Sequence, residues 1–116
     1  MKLLQEIINP NTVNLTNTQQ GVLIDIKISP TPEVAYETTN GSDHSVYARN
    51  SLRTLGLIQV GDNRAALTPT GERVVVNYNL IDDTGQMTDR GQEIYTAYKA
   101  ENKRDVLQSN DQDELV

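Results

Sequence analysis

DHSVYARNSLRTLGLIQVGDNRAALTPTGERVVVNY, residues Asp43 to Tyr78, is the stretch from which the fold can be read. It divides into a helix ended by a glycine, a short strand, a polar turn, a second strand and a helix opened by proline. Ser42 or Asp43 can cap the first helix, whose Ala48, Leu52 and Leu55 fall at helical spacing for a core-facing side, and Gly56 accepts the left-handed conformation that ends it. Leu57, Ile58 and Val60 suit a strand. Gly61-Asp62-Asn63 supplies turn chemistry, and Ala65 to Leu67 can return antiparallel. Thr68 followed by Pro69 is a helix N-cap with proline at the first helical position. Beyond it, Val74-Val75-Val76 has strand propensity inside a segment that begins as a helix, so helix or strand over residues 74 to 81 is a contest; a helix is expected.

This order resembles a winged helix-turn-helix domain of the MarR-like regulator type. In those proteins the recognition helix ends in a leucine-x-x-leucine-glycine-leucine phrase, and the wing closes into a leucine-threonine-proline-x-glycine phrase. Here the phrases read Leu52-Arg53-Thr54-Leu55-Gly56-Leu57 and Leu67-Thr68-Pro69-Thr70-Gly71. Upstream, Leu15-Thr16-Asn17-Thr18-Gln19-Gln20-Gly21-Val22-Leu23 is similar to the entry into the first helix of such domains, so the resemblance covers about residues 15–78. It implies a mainly α protein with a small β-hairpin (α+β), a winged helix-turn-helix with N- and C-terminal flanking helices. It further implies a small DNA-binding transcriptional regulator, with recognition helix 43–55 in the major groove, wing 58–67 on the backbone, and a homodimer formed through the terminal helices.

On that reading the outward positions of the recognition helix include His44, Tyr47, Asn50, Ser51 and Thr54, with Arg49 and Arg53 nearer its edges and Arg64 on the wing. The expected double-stranded DNA contacts are His44, Tyr47, Arg49, Asn50, Arg53 and Arg64, since arginine and asparagine offer paired donors and acceptors to guanine and adenine edges. Relatives often carry an apolar residue where Arg49 stands, which leaves Arg49 either at the rim or buried against a carboxylate. The helix before it, opened by Thr31-Pro32-Glu33 and ended at Asn40-Gly41, departs from the usual leucine-alanine pattern with Val34-Ala35-Tyr36.

Charge speaks less clearly. The chain carries a formal net charge of -6, which disfavours a strongly basic nucleic-acid binder. Residues 1–100 hold eight Lys or Arg against eleven Asp or Glu, and residues 101–116 hold two against five, so half of the excess is in the tail. From His44 to Arg73, Arg49, Arg53, Arg64 and Arg73 face only Asp62 and Glu72, a local bias of the kind that phosphate contact requires. The acidic total supports a different class of function, a winged-helix protein-protein interaction module (an acidic adaptor or inhibitor) that binds a protein partner and no DNA.

The remaining chain is short of chemistry. At 116 residues it is one small domain, expected over residues 1–102, with 36% hydrophobic content, no Trp or Phe, and five tyrosines as its aromatics. Lys2 to Ile8 places Leu3, Leu4, Ile7 and Ile8 on one helical face, for a dimer or for its own domain. Thr16 or Asn17 caps a helix to Lys27, although Val22 to Ile28 also alternates as a strand would; the resemblance favours helix. Leu67-Thr68-Pro69-Thr70-Gly71 is echoed twenty positions later by Met87-Thr88-Asp89-Arg90-Gly91, with the turn Asp82-Asp83-Thr84-Gly85 between. A last helix from about Thr88 to Asn102 carries Ile94, Tyr95, Ala97 and Tyr98 for a second subunit or for the same chain, and residues 103–116 read as a disordered acidic tail. There is no cysteine, a single histidine and no glycine-rich phosphate loop, so no enzyme, metal or cofactor is expected. No apolar run approaches the roughly 20 residues of a membrane span, and Glu6 interrupts any leader, so a cytoplasmic protein is expected.

Overall fold

The computed structural model describes residues 14–115, with side chains for residues 14–102. The helix expected at Lys2 to Ile8 lies outside the described residues. The elements follow in the order α1 (Asn17–Ile28), α2 (Pro32–Thr38), α3 (Asp43–Thr54), β1 (Ile58–Gly61), β2 (Arg64–Leu67), α4 (Pro69–Asn77) and α5 (Asp89–Leu115). The described chain is therefore mainly helical, with one two-stranded antiparallel hairpin, in the order that the sequence implied. None of its helices is long and apolar enough to cross a membrane.

Helix α1 is the centre of the molecule. Thr16 caps it through a capping box with Gln19, and every residue from Gln20 to Ile26 is buried. A helix buried all round carries no polar stripe, which is why its sequence also satisfied a strand pattern. Val22, Leu23 and Ile24 contact the rest of an aliphatic core that includes Ala48, Leu52, Leu57, Val74, Val75, Leu80, Ile94 and Tyr98. Tyr98 of α5 lies directly over Gly21, where any side chain would meet its ring. Ile94 and Tyr98 thus serve the same chain. Arg90 ties the start of α5 to the Tyr78 carbonyl at 3.0 Å and to Gln20 Oε1 at 2.9 Å.

Polar groups cross this core as well. The buried Asp25 carboxylate on α1 accepts from the Thr38 hydroxyl of α2 at 2.8 Å and from the Tyr98 hydroxyl of α5 at 3.0 Å. Burial, reinforced by that carboxylate, pushes the Tyr98 phenol above its ordinary pKa.

The echo in the sequence is an echo in space. Helix α3 ends with Gly56 at φ +79°, Gly56 N–H donating to Arg53 O and Leu57 N–H to Leu52 O. Helix α4 ends in the same way, with Asn79 at φ +57°, Asn79 N–H donating to Val76 O and Leu80 N–H to Val75 O. After each ending the chain makes an excursion and returns to a threonine whose N–H donates to the carbonyl of the buried leucine, Thr68 to Leu57 and Thr88 to Leu80, both at 3.0 Å. Three residues on, Gly71 and Gly91 sit against those same two carbonyls, with no room for a Cβ. The first excursion is the β1–β2 hairpin. The second is a smaller arch, closed by the Ile81–Met87 bridge, in which Asp82 Oδ1 accepts from the Thr84 hydroxyl and from the N–H groups of Thr84 and Gln86. Those bonds hold the exposed Asp82 carboxyl below its ordinary pKa.

Two expectations change, at Leu55 and in the tail, and the contest at the triple valine ends in the expected helix. Leu55 is not a core residue: it is the C-cap of α3 and 48% exposed, because the helix ends before its face can turn inward again. Val74-Val75-Val76 is helical, since Thr68 caps the segment and burial of Val74 and Val75 outweighs their strand preference. Helix α5 continues to Leu115, through the segment read as tail, which contains neither Pro nor Gly to stop it.

Alanine at Gly71 or Gly91 is expected to destabilise the fold by about 1–3 kcal/mol, as overpacking against fixed atoms does. Alanine at Gly61, which has open space and an ordinary φ, should change stability by less than about 0.5 kcal/mol. Urea denaturation of the three variants checks this. A second expectation concerns alkali. The Tyr98 phenol titrates higher folded than unfolded, so its contribution is complete below the unfolded value of about 10 and is lost as pH rises through the folded value. Stability measured against pH should fall from about pH 10 upward, and Tyr98→Phe should reduce that slope. The residual slope would come from Tyr95, whose phenol burial raises in the same direction.

Candidate nucleic-acid interface

Helix α3 and the hairpin that follows it both carry exposed side chains, and the hairpin packs on α2 through β2. Ser42 caps α3 by accepting from Ser45 N–H at 3.2 Å, while the Ser45 hydroxyl donates back to Thr39 O at 2.9 Å, across the turn from α2. The inward side of α3 consists of Ser45, Ala48, Arg49 and Leu52. Gln19 of α1 donates to the Ser51 hydroxyl at 2.8 Å and fixes the helix from a second direction. The orientation of the outward side follows from these contacts. It displays His44, Tyr47, Asn50, Arg53 and Thr54, and Tyr47 stands out at 74% exposed.

The hairpin beside it is as short as a hairpin can be. Asp62 and Asn63 take φ of +52° and +60°, the paired left-handed conformation of a two-residue turn whose twist matches that of the strands. Gly61 pairs with Arg64 and Ile58 with Leu67. Ala65 is buried, so the neighbouring Arg64 points outward, where its Nε lies 3.3 Å from the Glu33 carboxylate of α2. Between the start of α2 and the hairpin runs an open groove of about 430 Å³, lined by Pro32, Gln59, Val60, Asp62 and Arg64 among others.

Of the six residues expected to form the site, five are exposed: His44, Tyr47, Asn50 and Arg53 on α3, and Arg64 on the hairpin, where it meets α2. His44 lies 3.9 Å from Glu101 of α5 through Nε2. Arg49 is not on the surface. It is 5% exposed and reaches under α2, donating to Tyr36 O, the Thr39 hydroxyl and Asn40 Oδ1 at 3.2–3.3 Å, with its guanidinium 4.5 Å from the Tyr36 ring centroid. Neither alternative expected from the sequence applies, because none of those hydrogen-bond acceptors is a carboxylate. Carbonyl and amide oxygens and a π face replace the water that the charge gave up, and Nε is left without a hydrogen-bond partner. Ser51, expected outward, is half-buried and donates to Ala48 O at 2.8 Å.

The charge of the surface changes accordingly. With Arg49 inside, Arg53, Arg64 and Arg73 face Asp62 and Glu72, and Arg64 is paired with Glu33. The spacing of α3 gave no warning of this. The acceptors it finds, the Tyr36 carbonyl, the Thr39 hydroxyl and Asn40 Oδ1, come from α2 and the turn after it.

Arg49→Met keeps about the same volume but removes the donor from the buried Thr39 hydroxyl and the Tyr36 carbonyl, and is expected to lower stability by about 1–3 kcal/mol. Arg53→Ala and Asn50→Ala, both exposed, should stay within about 0.5 kcal/mol of the parent in the same urea titration. No protein family, curated protein or solved structure matches this chain.

Proposed function

We propose that the domain is a winged helix that binds double-stranded DNA as a small regulator, with α3 as recognition helix and the β1–β2 hairpin as wing. The observation that carries this reading is the outward stripe of α3, where Tyr47, Asn50, Arg53 and Thr54 hold no packing role, followed in the chain by a tight hairpin with the exposed Arg64 next to its turn. An exposed helix supported from behind on two sides is what entry into a major groove about 12 Å wide requires. Asn50 then meets an adenine edge, Tyr47 offers apolar contact to a thymine methyl, and Arg53 and Arg64 contact phosphate. A dimer belongs to the same proposal. Because Ile94 and Tyr98 pack on α1, a second copy would meet the outer face of α5, where Ala97 is exposed.

A second reading is supported by the charge balance. Two exposed arginines, one of them paired to Glu33, and a tyrosine 74% exposed on α3 also suit a protein partner. The two readings separate under mutation. Fluorescence anisotropy of mixed-sequence duplex against the protein should show binding that weakens steeply with salt. Arg53→Ala with Arg64→Ala should lower the affinity at least about tenfold and reduce the salt slope by about 0.9 for each phosphate that is no longer neutralised. Absence of binding at low salt by the folded protein would favour the partner reading, in which Tyr47→Ala and not the arginine pair disrupts the complex.

A further inference from the structure

We infer that Glu33 makes an autoinhibitory contact with the wing arginine, one that lowers the affinity of Arg64 for phosphate. This inference rests on the DNA-binding reading. Its geometry is local. Glu33 is in the first turn of α2, and its Oε2 lies 3.3 Å from Arg64 Nε on the hairpin, across the groove that begins at Pro32. Both ends are anchored. Thr31 caps α2 and accepts from Val34 N–H, while Arg64 is adjacent to a two-residue turn with both residues left-handed, so the hairpin has little freedom to carry the guanidinium elsewhere.

The consequence for binding is a competition. A phosphate approaching the Nη groups of Arg64 meets a carboxylate beside Nε, whose charge offsets that of the guanidinium and repels the polyanion. Both side chains are more than half exposed, 58% and 60%, so the restraint is small and reversible. A small restraint is enough to matter where affinity is electrostatic. The cost applies wherever Arg64 meets a phosphate, whatever the sequence beneath it, so Glu33 sets how tightly the wing holds any duplex.

The test compares Glu33→Gln with Glu37→Gln, which removes an exposed carboxylate from the same helix but not one paired with Arg64. Each is titrated with mixed-sequence duplex at low salt, in the parent and in the Arg64→Ala background. Circular dichroism confirms that the six proteins, the parent and Arg64→Ala included, are folded. The expected result is a gain of about two- to fivefold in affinity for Glu33→Gln, a smaller gain for Glu37→Gln, and loss of the Glu33→Gln gain when Arg64 is alanine. Equal gains for the two variants, or a Glu33→Gln gain that survives Arg64→Ala, would make the effect one of net charge and overturn the inference while leaving DNA binding intact. An unchanged or reduced affinity for Glu33→Gln would overturn it too. If neither the parent nor any variant binds duplex, the DNA reading itself fails and takes this inference with it.

Discussion

Two backbone carbonyls, those of Leu57 and Leu80, press against a glycine in the first turn of the helix that follows each, and the course of the chain from α3 to α5 depends on that contact. The leucine enters the core, its carbonyl accepts from the threonine that caps the next helix, and Gly71 or Gly91 lets that helix pass close behind. Since α4 ends one unit and begins the other, the pattern sets three helices with one type of joint. The hairpin and the smaller arch are excursions between fixed points. They can differ in length without disturbing the joints, and they do.

The joints position α3, and a polar seam orients it. Asp25, Thr38 and Tyr98 connect α1, α2 and α5, while Arg49 connects α3 to α2 through Tyr36, Thr39 and Asn40. Such contacts are directional where aliphatic packing is not, and each member left unpaired would be costly in a dry interior. For a surface whose proposed task is to present Tyr47, Asn50 and Arg53 to a groove, angular definition matters more than the net stability of each bond.

The parts legible in the sequence were those set by local chemistry. Thr16, Thr31, Ser42 and Thr68 cap the helices where their spacing said they would, and Gly56 and the Asp62-Asn63 turn have the left-handed backbone that their residue types allow. The twenty-residue echo was visible as letters and became two matching joints. What stayed hidden was tertiary. Arg49 looks like a groove contact until Thr39 and Asn40 fold beneath it, because no periodicity within α3 records what α2 will offer. Leu55 looks apolar enough for the core, but the helix stops one position too early to use it. The triple valine was ambiguous because its strand preference is intrinsic, whereas the burial of Val74 and Val75 that overrides it depends on the whole fold.

The seam also divides the molecule by what holds its parts. Helix α2 has seven residues, and Ala35 is its one buried apolar side chain; it is retained by Thr38 and by its bonds to Arg49. Helix α1 has seven consecutive buried residues. Of the described helices α2 buries the fewest apolar side chains, and it is held through Thr38, Arg49 and its packing on β2. A change of sequence in α2 therefore reaches α3 through directional bonds and not through apolar packing.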